Sequence, residues 1–108
     1  MPKGRKGKVV ENKVAKRYLK AGFKVFTRKI VRDVGEFDVI AKRGRKVLAI
    51  EVKHSSKGRL ITSTDVEKLI KKAKRIRAKP VLVLSGKSIL SHSGKELVKK
   101  CKVKIKKL

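Results

Sequence analysis

Apolar residues near the start of the chain recur with helical spacing. Val14 and Tyr18 follow Glu11 at three and seven residues, which predicts a helix over about residues 9–21. Gly22 stands where the end of that helix is expected. The same spacing places Glu11 on the apolar face of the helix.

Alternating apolar and polar residues then predict three strands, near residues 23–28, 36–42 and 46–53. The basic turn around Gly44 joins the second strand to the third, so these two are expected to form a hairpin. Because residues two apart on a strand share a face, Glu51 and Lys53 point the same way. Asp38 lies on the neighbouring strand and comes beside Glu51 if the register of the hairpin allows it.

Two capping boxes mark helices in the second half of the chain. Thr64 and Glu67 open the first of these helices, and Ser93 and Glu96 open the second. The predicted elements here are a helix to about residue 78, a buried strand over 81–84, a serine- and glycine-rich loop, a helix to about residue 101 and an edge strand over 103–105. The element order is therefore α-β-β-β-α-β-α-β, an α/β protein with a mixed central sheet flanked by helices.

The net positive charge of the chain indicates what kind of partner it binds. The chain of 108 residues has 34 Lys and Arg against 8 Asp and Glu, a formal charge of +26. Such a charge repels itself unless the partner is a polyanion, and nucleic acid is the leading candidate. The apolar stripes resemble core faces, so we expect no membrane association. There is no long apolar run and no signal peptide, and we expect a soluble, cytoplasmic protein that associates with DNA.

The first eight residues contain two glycines and four basic residues, which predicts a mobile basic arm over 1–8 and a single domain over 9–108. We expect each basic residue of this arm to neutralise a DNA phosphate. These residues are Lys3, Arg5, Lys6 and Lys8.

Acids are scarce in this chain, so an acid directed at an apolar face needs a reason, and metal coordination supplies one. Mg²⁺ prefers oxygen ligands and is usually held by one or two carboxylates together with water and substrate phosphate. Asp38 and Glu51 would be that pair, with Mn²⁺ as a substitute metal. Lys53 would orient or activate the attacking water and offset charge on the phosphate. Glu11 would complete a second metal position or hold a metal-bound water.

Asp38, followed by Glu51-x-Lys53 after an apolar strand, resembles the signature of the PD-(D/E)XK nuclease superfamily, with Val-Gly-Glu-Phe-Asp in place of Pro-Asp. Arg5-Lys6-Gly7, followed by Glu11 on a helix, resembles the archaeal Holliday-junction resolvases. The resemblance implies a restriction-endonuclease-like fold. It also implies a catalytic set comprising Glu11, Asp38, Glu51 and Lys53.

The same resemblance implies further DNA contacts. Arg5 would contact DNA, and Ser55 and Ser56 would lie near the mouth of the active site, beside the basic residues Lys57 and Arg59. The tail of the chain, residues 80–105, is more similar to the end of Mrr-type restriction endonuclease domains.

Two classes of function stay open. The first is a metal-dependent DNA endonuclease, either a homodimer that resolves four-way junctions by paired cuts or an Mrr-like enzyme on other DNA structures. The second is a basic nucleic-acid-binding protein without catalysis. Charge does not separate them, because phosphate attraction is independent of sequence. The acids favour the first, since a pure binder gains nothing from Glu11, Asp38 and Glu51 near DNA phosphates.

Overall fold

The computed structural model describes the backbone of residues 3–108 and the side chains of residues 8–108. Over this range the elements follow the order expected from the sequence. They are α1 (Lys3–Lys20), β1 (Lys24–Val31), β2 (Gly35–Arg43), β3 (Lys46–Ile61), α2 (Ser63–Arg75), β4 (Lys79–Leu90), α3 (His92–Lys100) and β5 (Lys104–Lys107).

The five strands form one mixed sheet in the order β1-β2-β3-β4-β5. The first three strands pair antiparallel, whereas β4 runs parallel to both β3 and β5. Arg43 faces Lys46 across the turn at Gly44, so the expected hairpin is confirmed. The predicted final strand is also confirmed, because β5 lies at the edge of the sheet.

Helices cover both faces of the sheet, and β4 contributes to both cores. Val81 and Val83 pack in the cluster that contains α1, while Leu82 and Leu84 pack in the cluster that contains α2 and α3. Each of these side chains is nearly or fully buried, which stabilises the fold by about 1.5–3 kcal/mol per large apolar side chain. The α/β class with helices flanking a mixed sheet is therefore confirmed.

The first helix begins earlier than its sequence pattern predicts. It starts at Lys3, so the expected arm over 1–8 is helical from its third residue onward. Lysine and arginine are good helix formers, and the buried residues Val10 and Val14 anchor a helix that needs no new nucleation, which offsets the unfavourable propensity of Gly4 and Gly7. Met1, Pro2 and the side chains of Lys3, Arg5 and Lys6 lie outside the described part of the chain, and their contact with DNA stays a prediction.

The later helices begin at caps other than the expected ones. Thr62 precedes α2, and its N–H donates to the Asp65 carboxylate at 3.0 Å, so the capping box predicted from Thr64 was wrong. Ser91 caps α3 by accepting from the N–H of Gly94 at 2.9 Å. Thr62 and Ser91 are also residue types that are preferred at the N-cap position.

Strands β3 and β4 extend through segments that were expected to be loops. After a register shift between Ser55 and Arg59, the two strands pair again as far as Ile61 and Leu90. Parallel pairing satisfies the backbone groups of these serine- and glycine-rich segments. Ile61 is fully buried and anchors the end of β3.

No helix within residues 3–108 is both long enough and apolar enough to cross a membrane.

Candidate active site

Asp38 and Glu51 meet where the pairing of β2 with β3 stops. Val39 and Ile50 are the last partners in that ladder, and the next residue on each strand is one of the two acids. The Asp38 carboxylate accepts a hydrogen bond from the N–H of Val52 at 2.8 Å, replacing a backbone partner. The hairpin register therefore brings together the two carboxylates that the sequence singled out.

The surroundings of Asp38 disfavour its charge. Burial, and then the nearby carboxylates of Glu51 and Glu11, raise the pKa of Asp38 to about 6, against the lowering effect of the Val52 N–H and of Lys53. A carboxylate in this position gains from a cation, because a cation would remove both the desolvation cost and the like-charge repulsion.

Glu51 is held between two lysines. Lys53 Nζ lies 3.4 Å from Glu51 Oε2, and Lys72 Nζ lies 3.6 Å from Oε1. Lys72 comes from α2, donates to the backbone carbonyl of Glu36 at 2.6 Å and lies over the ring of Phe37. Sequence reasoning placed Lys53 at this site and missed Lys72.

Glu11 pairs with a different partner. Arg28 Nη1 lies 3.2 Å from Glu11 Oε1, and the Glu11 side chain is only 14% exposed. Across residues 3–108, no three His, Cys, Asp or Glu side chains converge closely enough to form a metal site. Glu11 lies near enough to Asp38 to raise its pKa, but its carboxylate pairs with Arg28. A part for Glu11 in a metal site stays a prediction.

A cleft between α2 and β3 lies beside Glu51. Its volume is about 310 Å³, and it is lined by Glu51, Lys53, Asp65, Lys68, Leu69, Lys71 and Lys72. Burial raises the pKa of Asp65, but the Thr62 N–H, Lys53 and Arg59 outweigh it, so the pKa lies below its usual value. Four of the seven lining residues are lysines, which makes the cleft attractive to phosphate.

The residues expected near the mouth of the site lie at the register shift of β3. Ser55 is half-buried, and its hydroxyl accepts from the N–H of Gly58 at 3.0 Å. Ser56 and Lys57 are exposed, whereas Arg59 lies 3.7 Å from Asp65. Lys8 is also exposed, at the start of the described side chains. DNA contact by these residues stays a prediction.

His54 has a hydrogen-bonding partner on the neighbouring strand. Its Nδ1 lies 2.9 Å from the hydroxyl of Ser85 on β4, and both residues are at least half-buried. The contact joins the two parallel strands beside the site.

Comparison with known proteins identifies the family of this chain and a similar crystal structure. A family model described as archaeal Holliday junction resolvase matches residues 2–107, including the tail. The crystal structure of a Holliday junction resolvase from Archaeoglobus fulgidus is similar, with a TM-score of 0.58 and 29% identity, over 81% of this chain and 66% of that one.

Two further proteins show similarity. A crystal structure of a protein of unknown function has a TM-score of 0.79 at 18% identity, over 94% of this chain and 58% of that one, which is a likeness of fold. A UPF0102 protein of Kosmotoga olearia is 35% identical over 49 residues, which are 45% of this chain and 43% of that protein. The chain spans less than two thirds of each of these three relatives.

Proposed function

Because this chain belongs to the archaeal Holliday junction resolvase family, we propose that it is a metal-dependent DNA endonuclease that resolves four-way junctions. The observation that carries the proposal is the pair of half-buried carboxylates, Asp38 and Glu51, at the point where β2 and β3 separate. A protein that only bound DNA would lose affinity from these charges, since they repel phosphate.

Asp38 and Glu51 are the residues that would hold Mg²⁺, or Mn²⁺ in its place. Two carboxylates with the remaining positions left to water and phosphate are a usual donor set for Mg²⁺. The raised pKa of Asp38 supports this fit, because burial and the neighbouring carboxylates make its charge one that a bound cation would stabilise. When bound, such an ion stabilises charge on the phosphate and lowers the pKa of a coordinated water. Glu11 stands outside the pair and contributes through its ion pair with Arg28.

The lysines of the cleft would act on the phosphate. Lys53 Nζ already lies 3.4 Å from the Glu51 carboxylate, so it is positioned to donate a hydrogen bond to the attacking water or to a phosphate oxygen. Lys72 approaches the other oxygen of Glu51 from α2 and adds a second cation. Together they would stabilise the negative charge that grows on the phosphate during cleavage.

DNA would be bound mainly through its backbone. The net charge of +26 suits contacts that are independent of base sequence. Ser55, Ser56, Lys57 and Arg59 at the register shift, together with the basic residues at 3–8, are proposed to hold the DNA beside the cleft.

Paired incision leads us to propose a homodimer. Two opposed strands of a junction are cut symmetrically only if two active sites are present, and a two-fold dimer matches the symmetry of a four-way junction. Analytical ultracentrifugation tests this directly. A single species of 12.1 kDa at micromolar concentration, with and without junction DNA, would rule out the dimer.

The central experiment compares cleavage of a four-way junction, a flap and a linear duplex in Mg²⁺ and in a chelator. Wild type should cut the junction in Mg²⁺ alone, and Glu51→Ala and Asp38→Ala should not cut it while binding it at least as tightly. Glu67→Ala, which removes an exposed acid from α2, is the matched control and should behave as wild type.

Each proposal has its own contrary outcome. Equal cleavage by wild type and Glu51→Ala would overturn the endonuclease proposal. If wild type cuts junction and duplex equally and the two variants cut neither, the proposal of junction resolution gives way to an Mrr-like activity.

A further inference from the structure

Phe26 differs from the other aromatic residues of this chain. Tyr18, Phe23 and Phe37 are buried, whereas Phe26 on β1 is only half-buried. It lies opposite Ile40 of β2 and packs against a small apolar cluster that contains Phe37, Ile40 and Ala73. Its ring is therefore accessible on the outer part of the sheet.

Three ammonium groups surround this ring. The Nζ atoms of Lys24, Lys29 and Lys42 lie 5.6, 5.8 and 5.6 Å from the centroid of Phe26. Like charges this close repel one another, and the ring quadrupole offsets part of that repulsion. No ion pair found between side chains of residues 8–108 involves any of the three lysines. The cluster therefore carries an unbalanced positive charge at a defined place.

An irregularity in β1 places Lys29 on the same face as Phe26. Phe26 and Lys29 are three residues apart, so regular alternation would place them on opposite faces. Arg28 lies between them and has a φ of +48°. It is not paired with Asp38, although its neighbours Thr27 and Lys29 both pair with β2. Arg28 reaches Glu11, while Lys29 comes to the face of Phe26.

The cluster is continuous with the cleft. Lys29 is the register partner of Phe37, and Lys72 lies 5.0 Å over the ring of Phe37. Lys72 in turn faces Glu51. A line of ammonium groups thus runs from the carboxylate pair outward along β1 and β2. From Asp38 to Lys42 the strand covers about 13 Å at about 3.3 Å per residue.

We propose that this line of lysines, which we name the β1 track, binds the backbone of the DNA strand that leads away from the cleavage site. The β1 track comprises Lys72, Lys29, Lys24 and Lys42. The lysines contact successive phosphates, and the apolar cleft beside Phe26, formed with Val31 and Ile76, accommodates the sugars between them. The inference rests on the proposed function, because it takes DNA in the cleft as its starting point.

Chemical footprinting of the wild-type protein tests the β1 track. Lysine acylation is measured by mass spectrometry with and without a four-way junction, in a chelator so that no strand is cut. Lys24, Lys29 and Lys42 should become several-fold less reactive when DNA is bound. Unchanged reactivity overturns the proposal, and so does protection that appears without DNA as protein concentration rises, which would indicate contact between copies of the chain.

The internal controls for the footprint lie across the molecule. Lys95, Lys100 and Lys104 are exposed on α3 and β5, and β5 is the sheet edge opposite β1. These three should keep their reactivity. If the control lysines lose as much reactivity as the β1 track, DNA binds the surface without preference, and the proposal is overturned.

A matched pair of triple variants gives an independent measurement. Replacing Lys24, Lys29 and Lys42 with Gln should lower the slope of log affinity against log salt by about 2–3, since each phosphate contact contributes about 0.9. The triple Lys95, Lys100 and Lys104→Gln removes the same charge and should change the slope far less. Equal slopes for the two triples overturn the β1 track. Both measurements report binding without cleavage, so a failure of the endonuclease proposal remains distinguishable from a failure of this one.

Discussion

The carboxylate of Asp38 accepts a hydrogen bond from the backbone N–H of Val52 at 2.8 Å. It does so one residue beyond the last partners of the β2–β3 ladder. The acid therefore takes the place of a backbone carbonyl in a sheet and carries a negative charge where a neutral group would serve. Burial, and then the nearby carboxylate of Glu51, make that charge costly in the absence of a cation.

Asp38→Asn should stabilise the metal-free protein at pH 8. The pKa of Asp38 is raised from 3.8 to about 6, so ionisation costs the folded state up to about 3 kcal/mol above pH 6 and nothing below pH 4. An asparagine oxygen still accepts from Val52. Urea unfolding in a chelator should show a gain of about 1–3 kcal/mol at pH 8 and none at pH 4. A gain of equal size at both pH values would show that the charge of Asp38 is not what destabilises the fold.

Lys72→Gln should reduce cleavage about tenfold, the effect of about 1.4 kcal/mol in the barrier. The amide can still donate to the carbonyl of Glu36, but it brings no charge to Glu51. Lys74→Gln removes the same charge from an exposed residue of α2 that does not line the cleft, and it should stay within about twofold of wild type. Single-turnover rates on a junction measure the difference, and equal rates for the two variants would remove Lys72 from the site.

Glu11→Gln should keep more activity than Asp38→Ala or Glu51→Ala. The Glu11 carboxylate lies 3.2 Å from Arg28 rather than within the carboxylate pair, so its loss disturbs the site through Arg28. Cleavage rates of the three variants, measured in Mg²⁺ and in Mn²⁺, give the order of their activities. If Glu11→Gln is as inactive as Glu51→Ala in both metals, Glu11 acts directly at the reacting phosphate.

Gly86→Ala should destabilise the protein by about 3–4 kcal/mol, from left-handed backbone strain plus overpacking. Gly86 has a φ of +66°, and an added Cβ would lie 2.4 Å from the backbone oxygen of Ser55. Gly44→Ala is the matched control, because Gly44 has a φ of +60° and no atom within 4 Å of the added Cβ. It should cost about 1–2 kcal/mol. Equal losses in urea unfolding would mean that backbone conformation alone decides the effect.

The hairpin that carries the site could be predicted because its signals are local. The turn at Gly44 and the alternation on each side set the register, and the register places Asp38 beside Glu51. Lys53 follows from Glu51 by strand periodicity alone. The apolar positions of α1 likewise identified the buried face of that helix, which includes Val14 and Tyr18.

The contacts that sequence reasoning missed are long-range. Arg28 meets Glu11 only because β1 is irregular, and a positive φ at an arginine leaves no signature in the sequence. Lys72 reaches Glu51 across the gap between α2 and β3, although on a helical wheel it is one polar residue among several. The ends of β3 and β4 were missed because serine and glycine usually mark loops, and pairing between distant segments overrides that tendency.

The two lysines at Glu51 affect the order in which ligands can arrive. A cluster of bare acids would repel DNA until a divalent ion had been loaded, which would impose metal first and nucleic acid second. In this chain the protein supplies its own counterions, at 3.4 and 3.6 Å from the two oxygens of Glu51. The cleft is therefore cationic before any ion enters, so under the proposed function the chain would engage DNA in a metal-free form. Cleavage would then be a later event on a complex that already exists.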